Sequence, residues 1–228
     1  MRTSLFAAAS AALVAGTAAA DITGAVAVSY SVTAEDFGGA SVTVNVQDIY
    51  MTSNDSADTL LNVYNLTLAQ SGAGITYFQS FTGTGWQPTN LGGPFDTAAL
   101  QTADSFVTIG GFGADGRQVE GAGAGTGLDP NFGGNTANAP GALAGWYNGN
   151  PPSLNGATTT YDSGITGVLV GRFAYAGDFD LVGSTLEVTW NQGLGTGANQ
   201  AAFTVTPTPG ALALLGLASV AGRRRRNG

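Results

Sequence analysis

The sequence predicts an all-β domain, an antiparallel two-sheet sandwich or jelly roll, and three observations predict it. Apolar and polar residues alternate through many short runs, glycine-rich turns separate those runs, and no stretch of the body carries an apolar stripe of period 3.6. Alternation of period 2 is what a strand with one face on a core requires, because successive side chains point to opposite faces.

The first run places Ile22, Val26, Val28, Tyr30 and Val32 on even positions, with Thr23, Ser29, Ser31 and Thr33 between them. Val42, Val44 and Val46 repeat the pattern, and the intervening 34–40 stretch, with Gly38 and Gly39, suits a hairpin turn. Further runs cover 60–69 (Tyr64, Leu66 and Leu68 on one parity), 75–81 (Ile75, Tyr77, Phe81) and 105–112. The last three are 165–175, with Ile165, Leu169, Phe173 and Tyr175 on one face, 185–190 (Leu186, Val188, Trp190) and 202–206. That makes about eight strands, with a turn or so of helix over 97–104. Between 110 and 164 the alternation fails, and Gly, Asn, Pro, Ala and Thr dominate. So long a connection predicts a partly ordered excursion over the sheets, pinned by Leu128, Phe132, Leu143, Trp146, Tyr147 and Leu154.

Composition removes chemistry. The chain has no Cys and no His, and all seven of its basic residues are Arg. Disulfides, thiolate or imidazole metal sites, Ser-His-Asp arrangements, Schiff bases and a P-loop lysine are therefore excluded. Carboxylates, Tyr, Arg and hydroxyls remain. Their spacing pairs no glutamates for glycoside hydrolysis: Glu35 falls in a turn, Glu120 in the glycine-rich stretch and Glu187 on a strand. The Gly-x-Gly piece at 121–127 has no strand-to-helix frame and no following Lys, so it is not a nucleotide loop. A noncatalytic protein is expected. All fifteen acidic residues lie in 21–206, where Arg117 and Arg172 are the only basic ones, a net charge of about −13 that would repel nucleic acid.

The two ends read as targeting segments. Met1 and Arg2 precede an apolar stretch over 5–15, and Ala18 and Ala20 give the small-residue pattern that signal peptidase cuts, here before Asp21. At the other end, Thr206, Pro207, Thr208, Pro209 and Gly210 lead into an apolar helix-compatible run to 222, then Arg223, Arg224, Arg225 and Arg226. The prolines are expected to stop the last strand and begin a linker. The apolar run, helical, would extend about 20 Å against a hydrocarbon core of about 30 Å, which suits transient rather than permanent membrane anchoring.

This C-terminal constellation resembles the PEP-CTERM sorting signal of bacterial surface proteins, with Thr208 standing where that motif usually carries Glu. The resemblance covers about the last 22 residues, 207–228, and leaves the body's family unrecognised. It implies export, removal of a short transmembrane helix by an exosortase-type enzyme, and association with an envelope or extracellular polysaccharide matrix. The expected organisation is thus a signal peptide (1–20) with its helix, a sandwich domain (21–206), and a sorting signal (207–228). The expected function is that of an exported, noncatalytic cell-surface protein.

The alternative is a glycan- or calcium-binding module at the envelope. Trp146 and Tyr147 precede a polar Asn-Gly-Asn-Pro-Pro loop and are candidates for stacking on sugar, or equally for pinning that loop to the core. Trp86 has the same ambiguity. Asp178 and Asp180 share a face if extended and are candidate calcium ligands, as is the Asn54, Asp55 and Asp58 cluster, whose residue types equally suit a turn.

Overall fold

A computed structural model gives the architecture and describes residues 21–69, 75–80, 85–88, 95–119, 125–134, 140–177, 179–193 and 195–208. Ten strands form in chain order: β1 (Ile22–Glu35), β2 (Ser41–Ser53), β3 (Thr59–Thr67), β4 (Phe106–Val107), β5 (Thr126–Leu128), β6 (Ala144–Asn148), β7 (Thr159–Thr160), β8 (Thr166–Tyr175), β9 (Thr185–Asn191) and β10 (Asn199–Pro207). Among the described residues one short α-helix, α1 (Ala98–Ala103), lies between β3 and β4. Thr97 starts it, its hydroxyl accepting the Leu100 amide at 3.1 Å, and its buried Ala99, Leu100 and Ala103 hold it to the sheet.

The expected sandwich is corrected to a single nearly closed, barrel-like sheet. Its strands run in the order β4-β8-β2-β1-β10-β9-β3-β6-β5, with β7 beside β8. The two halves that alternation would assign to separate sheets are joined where Ala25, Val26 and Ala27 of β1 pair in parallel with Val205, Thr206 and Pro207 of β10. Across the remaining seam, the Ile109 amide donates to Thr126 Oγ1 at 3.3 Å and the Trp146 indole N–H to the Thr108 carbonyl at 3.0 Å. The Leu60 amide donates to Gly156 at 2.8 Å, tying β3 to the segment that enters β7.

The apolar faces also differ from the parity expected. A register shift between Ile22 and Gly24 turns Ile22 into the barrel, with Ala25 and Ala27, while Val26 packs outside. A second shift, between Ile49 and Tyr50 of β2 opposite β8, splits another supposed single face. Phe173 and Tyr175 point inward, while Ile165 and Leu169 join the outer cluster. One bulge residue inverts every side chain beyond it, so parity counted across a bulge fails.

The 110–164 stretch contains β5, β6 and β7 and sends Phe132 and Trp146 into the core, while Leu143, Tyr147 and Leu154 stay exposed. On the outer face of β1, β2 and β8, α1 and the segment around Phe106 and Phe112 cover a second apolar layer with Tyr50, Tyr161 and Leu169. That outer layer, rather than the barrel interior, positions the candidate site.

The helices expected at the two ends have no counterpart among the described residues. Among the described residues no helix is long and apolar enough to cross a membrane, and the longest is the six-residue α1. The leader, with Ala18 and Ala20, and the segment from Pro209 and Gly210 through Arg223, Arg224, Arg225 and Arg226 lie outside the described residues. The part of the sorting motif that is described contradicts its role as a linker. Pro207 ends β10 in register with Ala27, and the Thr208 amide and hydroxyl both donate to the Ala27 carbonyl, at 3.1 and 2.6 Å. Proline at a strand's end loses no ladder bond that the strand needs, so it does not stop this one short. Pro207 and Thr208 thus belong to the sheet, and the linker reading of the motif falls. With it fall the sorting function, the transient anchoring, the envelope location and the processing partners that the PEP-CTERM resemblance implied.

Candidate functional site

The outer layer encloses a buried ion pair. Asp48 of β2 and Arg172 of β8 are cross-strand partners in the antiparallel register, and both side chains are about nine-tenths buried. The guanidinium clasps the carboxylate with two bonds, Nε to Oδ1 at 2.8 Å and Nη2 to Oδ2 at 3.1 Å. Its Nη1 donates to the Gln101 carbonyl in α1 at 2.9 Å, and its Cζ lies 5.3 Å from the centre of the Phe106 ring. From β1, the Tyr30 hydroxyl donates to Asp48 Oδ2 at 3.1 Å, with the Thr102 carbonyl at 3.5 Å. Three strands and one helix end thus converge on one carboxylate and one guanidinium, with three of the guanidinium's five N–H donors engaged.

A half-open cleft of about 240 Å³ lies against this pair. Tyr30 and Arg172 border it from the sheet, Gln101 and Thr102 from α1, and Asp115, Gly116 and Arg117 from a small hairpin. The hairpin is locally determined. The Gly113 amide donates to the Arg117 carbonyl at 2.8 Å, Gly116 takes φ +72°, and the Arg117 amide donates to Asp115 Oδ1 at 3.1 Å. Phe112 anchors its base by stacking on Phe106, centroids 5.2 Å apart and planes 4° from parallel. At the tip, Arg117 and Asp115 approach only to 3.9 Å, and both are largely exposed.

The titration behaviour of Arg172 and of the buried tyrosines follows from their surroundings. Burial by itself lowers the Arg172 pKa, but the Asp48 charge and hydrogen bonds more than reverse that, so the guanidinium stays charged. Burial, reinforced by the Asp48 charge, pushes the Tyr30 and Tyr50 phenols far above the usual range. Burial likewise raises Tyr77 and Tyr161, and pushes Tyr175 up to about 12. An acid whose pKa is higher in the folded chain holds its proton more tightly there. Its stabilisation is therefore complete below the unfolded phenol's pKa of about 10 and is lost as pH rises through the folded values. Alkaline titration followed by phenolate absorbance should show these tyrosines ionising late and together with loss of circular dichroism; independent ionisation near pH 10 would contradict their burial.

The residues singled out from sequence lie elsewhere. Trp146 is 1 % exposed, bonded to Thr108 and edge-on to Phe132 at 6.1 Å between centroids, so its ring pins β6 to the core and offers no face to a sugar. Trp86 is also fully buried. Tyr147 is exposed, but its ring lies over Gly127, where an added Cβ would come within 2.4 Å of it. Asp180 accepts bonds from Gln47 Nε2 at 2.7 Å and the Val182 amide at 2.8 Å, which makes it a turn-fixing group; Asp178 lies outside the described residues. Asn54, Asp55 and Asp58 accept from the Asp21 amide, the Ala57 amide and the Ser53 hydroxyl, respectively. Among the described residues no three acidic side chains gather as a metal site would need. Tyr30, Arg117 and Arg172, which border the cleft, and Asp48, which backs it, carry no motif, and the scarcity of basic residues is their one signal in the sequence.

Scans against protein-family models, curated proteins and solved structures match none of them to this chain. The functional reading therefore rests on the cleft itself.

Proposed function

We propose that this protein is a noncatalytic binding protein whose ligand site is the cleft between α1, the Phe112–Gln118 hairpin and the Asp48–Arg172 pair. The observation that carries the reading is that Arg117 and Arg172, the only two basic side chains among the described residues, border the same cleft. In a body otherwise so acidic, two guanidiniums on one concavity mark it as a recognition surface. The noncatalytic part is supported by what the inner lining offers. Tyr30 keeps its proton far above neutral pH and Arg172 keeps its charge, so neither is poised to move a proton in a reaction, and three hydrogen bonds commit the Asp48 carboxylate to its neighbours.

Thr102 is exposed at the cleft's border, and its hydroxyl bonds only within α1, to the Ala98 carbonyl at 2.6 Å. Thr102→Trp should therefore fill the cleft and leave the fold intact. Screening small polar compounds by ligand-observed NMR should find binders of the unmodified chain that Thr102→Trp releases. Binding that survives the variant unchanged, or no binder at all, would refute the cleft as the site. Turnover of a bound compound would refute the noncatalytic reading.

A further inference from the structure

Resting on the reading that the cleft binds a ligand, we infer that the ligand class is a small monocarboxylate, held between the guanidiniums of Arg172 and Arg117.

A guanidinium carries five N–H donors in a planar fork. Arg172 uses three of them, two on Asp48 and one on the Gln101 carbonyl, which leaves two on a side chain that borders the cleft. Because Asp48 already balances its charge, Arg172 keeps its orientation without a ligand and presents those donors preorganised. Arg117 differs in the way a recruiting group should. Among the described residues its one ionic contact, to Asp115, is 3.9 Å long and exposed, a kind of pair worth about 0–1 kcal/mol, so a ligand oxygen can take over the guanidinium at little loss. One fixed fork and one adjustable fork match a planar anion with two oxygens better than they match a hydroxyl, which cannot accept from both as a charged group.

Size and field narrow the class. About 240 Å³ falls below the roughly 300–1,000 Å³ of pockets for drug-sized ligands, so the ligand is a small molecule. Asp115 at the rim and the strongly negative body repel anions in proportion to charge, which penalises a phosphate dianion about twice as much as a carboxylate.

Acetate and acetamide have nearly the same shape and differ in charge, so they are the probes, with inorganic phosphate as a third, all at constant ionic strength. In ¹H–¹⁵N NMR titrations of the full chain, acetate should saturate shifts at the Gly113–Arg117 amides and Arg side-chain resonances. Acetamide should bind at least about tenfold more weakly, and Arg117→Gln should weaken acetate by a similar factor. Equal binding of acetate and acetamide would overturn the carboxylate inference while leaving the cleft as a site for neutral ligands. Phosphate binding more tightly than acetate would also overturn it. Shifts by none of the probes would overturn it too, and the Thr102→Trp screen then decides separately whether the cleft binds anything.

Discussion

Arg172→Met should lower the stability of the folded chain by about 3–5 kcal/mol, which for a chain of this size is a fall in thermal midpoint of about 6–20 °C. Methionine preserves most of the apolar stem but leaves the Asp48 carboxylate, 6 % exposed, with only the Tyr30 hydroxyl for a partner. It also strips the Gln101 carbonyl of its donor and removes the cation from the Phe106 ring. The penalty is thus chiefly that of an uncompensated buried charge, and this makes the double variant informative. Asp48→Leu combined with Arg172→Met removes both charges from a layer already lined by Val26, Tyr50, Phe106 and Leu169, and should recover most of the loss. Equilibrium denaturation of the two variants separates the alternatives. If single and double variants lose equal stability, the pair acts through packing rather than charge, and the preorganised donor proposed for the cleft has no basis.

Most of the individual strands were legible in the sequence, because period-2 alternation is a local property, but the two-sheet architecture read from them was not the one formed. The 41–47 run became part of β2, the 60–69 run became β3, and the 185–190 run became β9, with Leu186, Val188 and Trp190 buried together as their parity required. How the strands join was not legible. Nothing in Ala25 or Pro207 announces that they lie at a parallel joint between first and last strands, since that pairing spans the chain and depends on closure. The prolines even argued against it. The bulges in β1 and β8 were hidden for a related reason: an inserted residue leaves composition untouched and changes only the side to which later residues point.

The site was legible in one respect only, the rarity of Arg in the body. Charge counting could show that Arg117 and Arg172 were exceptional, but not that a hairpin and a strand bring them to one cleft. The aromatic signal misled because the same ring that stacks on a ligand also fills a core, and local polarity around Trp146 described its loop rather than its environment.

That environment makes Trp146→Ala the second large expected effect. Deleting a fully buried Trp costs about 3–5 kcal/mol through lost transfer energy and the cavity left behind. Here the indole N–H also satisfies the buried Thr108 carbonyl at 3.0 Å across the barrel's open seam, so the substitution removes a closing contact along with the volume. The effect should have a location as well as a size. Amide hydrogen exchange should accelerate first at Ile109, which bonds to Thr126 over the same seam, and along β5 and β6, before it does so in β1 and β2. Trp146→Phe keeps most of the ring and loses the donor, so it should fall between wild type and alanine, with the same regional pattern. A thermal midpoint for Trp146→Ala within a degree or two of wild type would place the ring at the surface. The nearly closed, barrel-like sheet would then lose the side chain that spans its seam, and aromatic recognition by Trp146 would again be open.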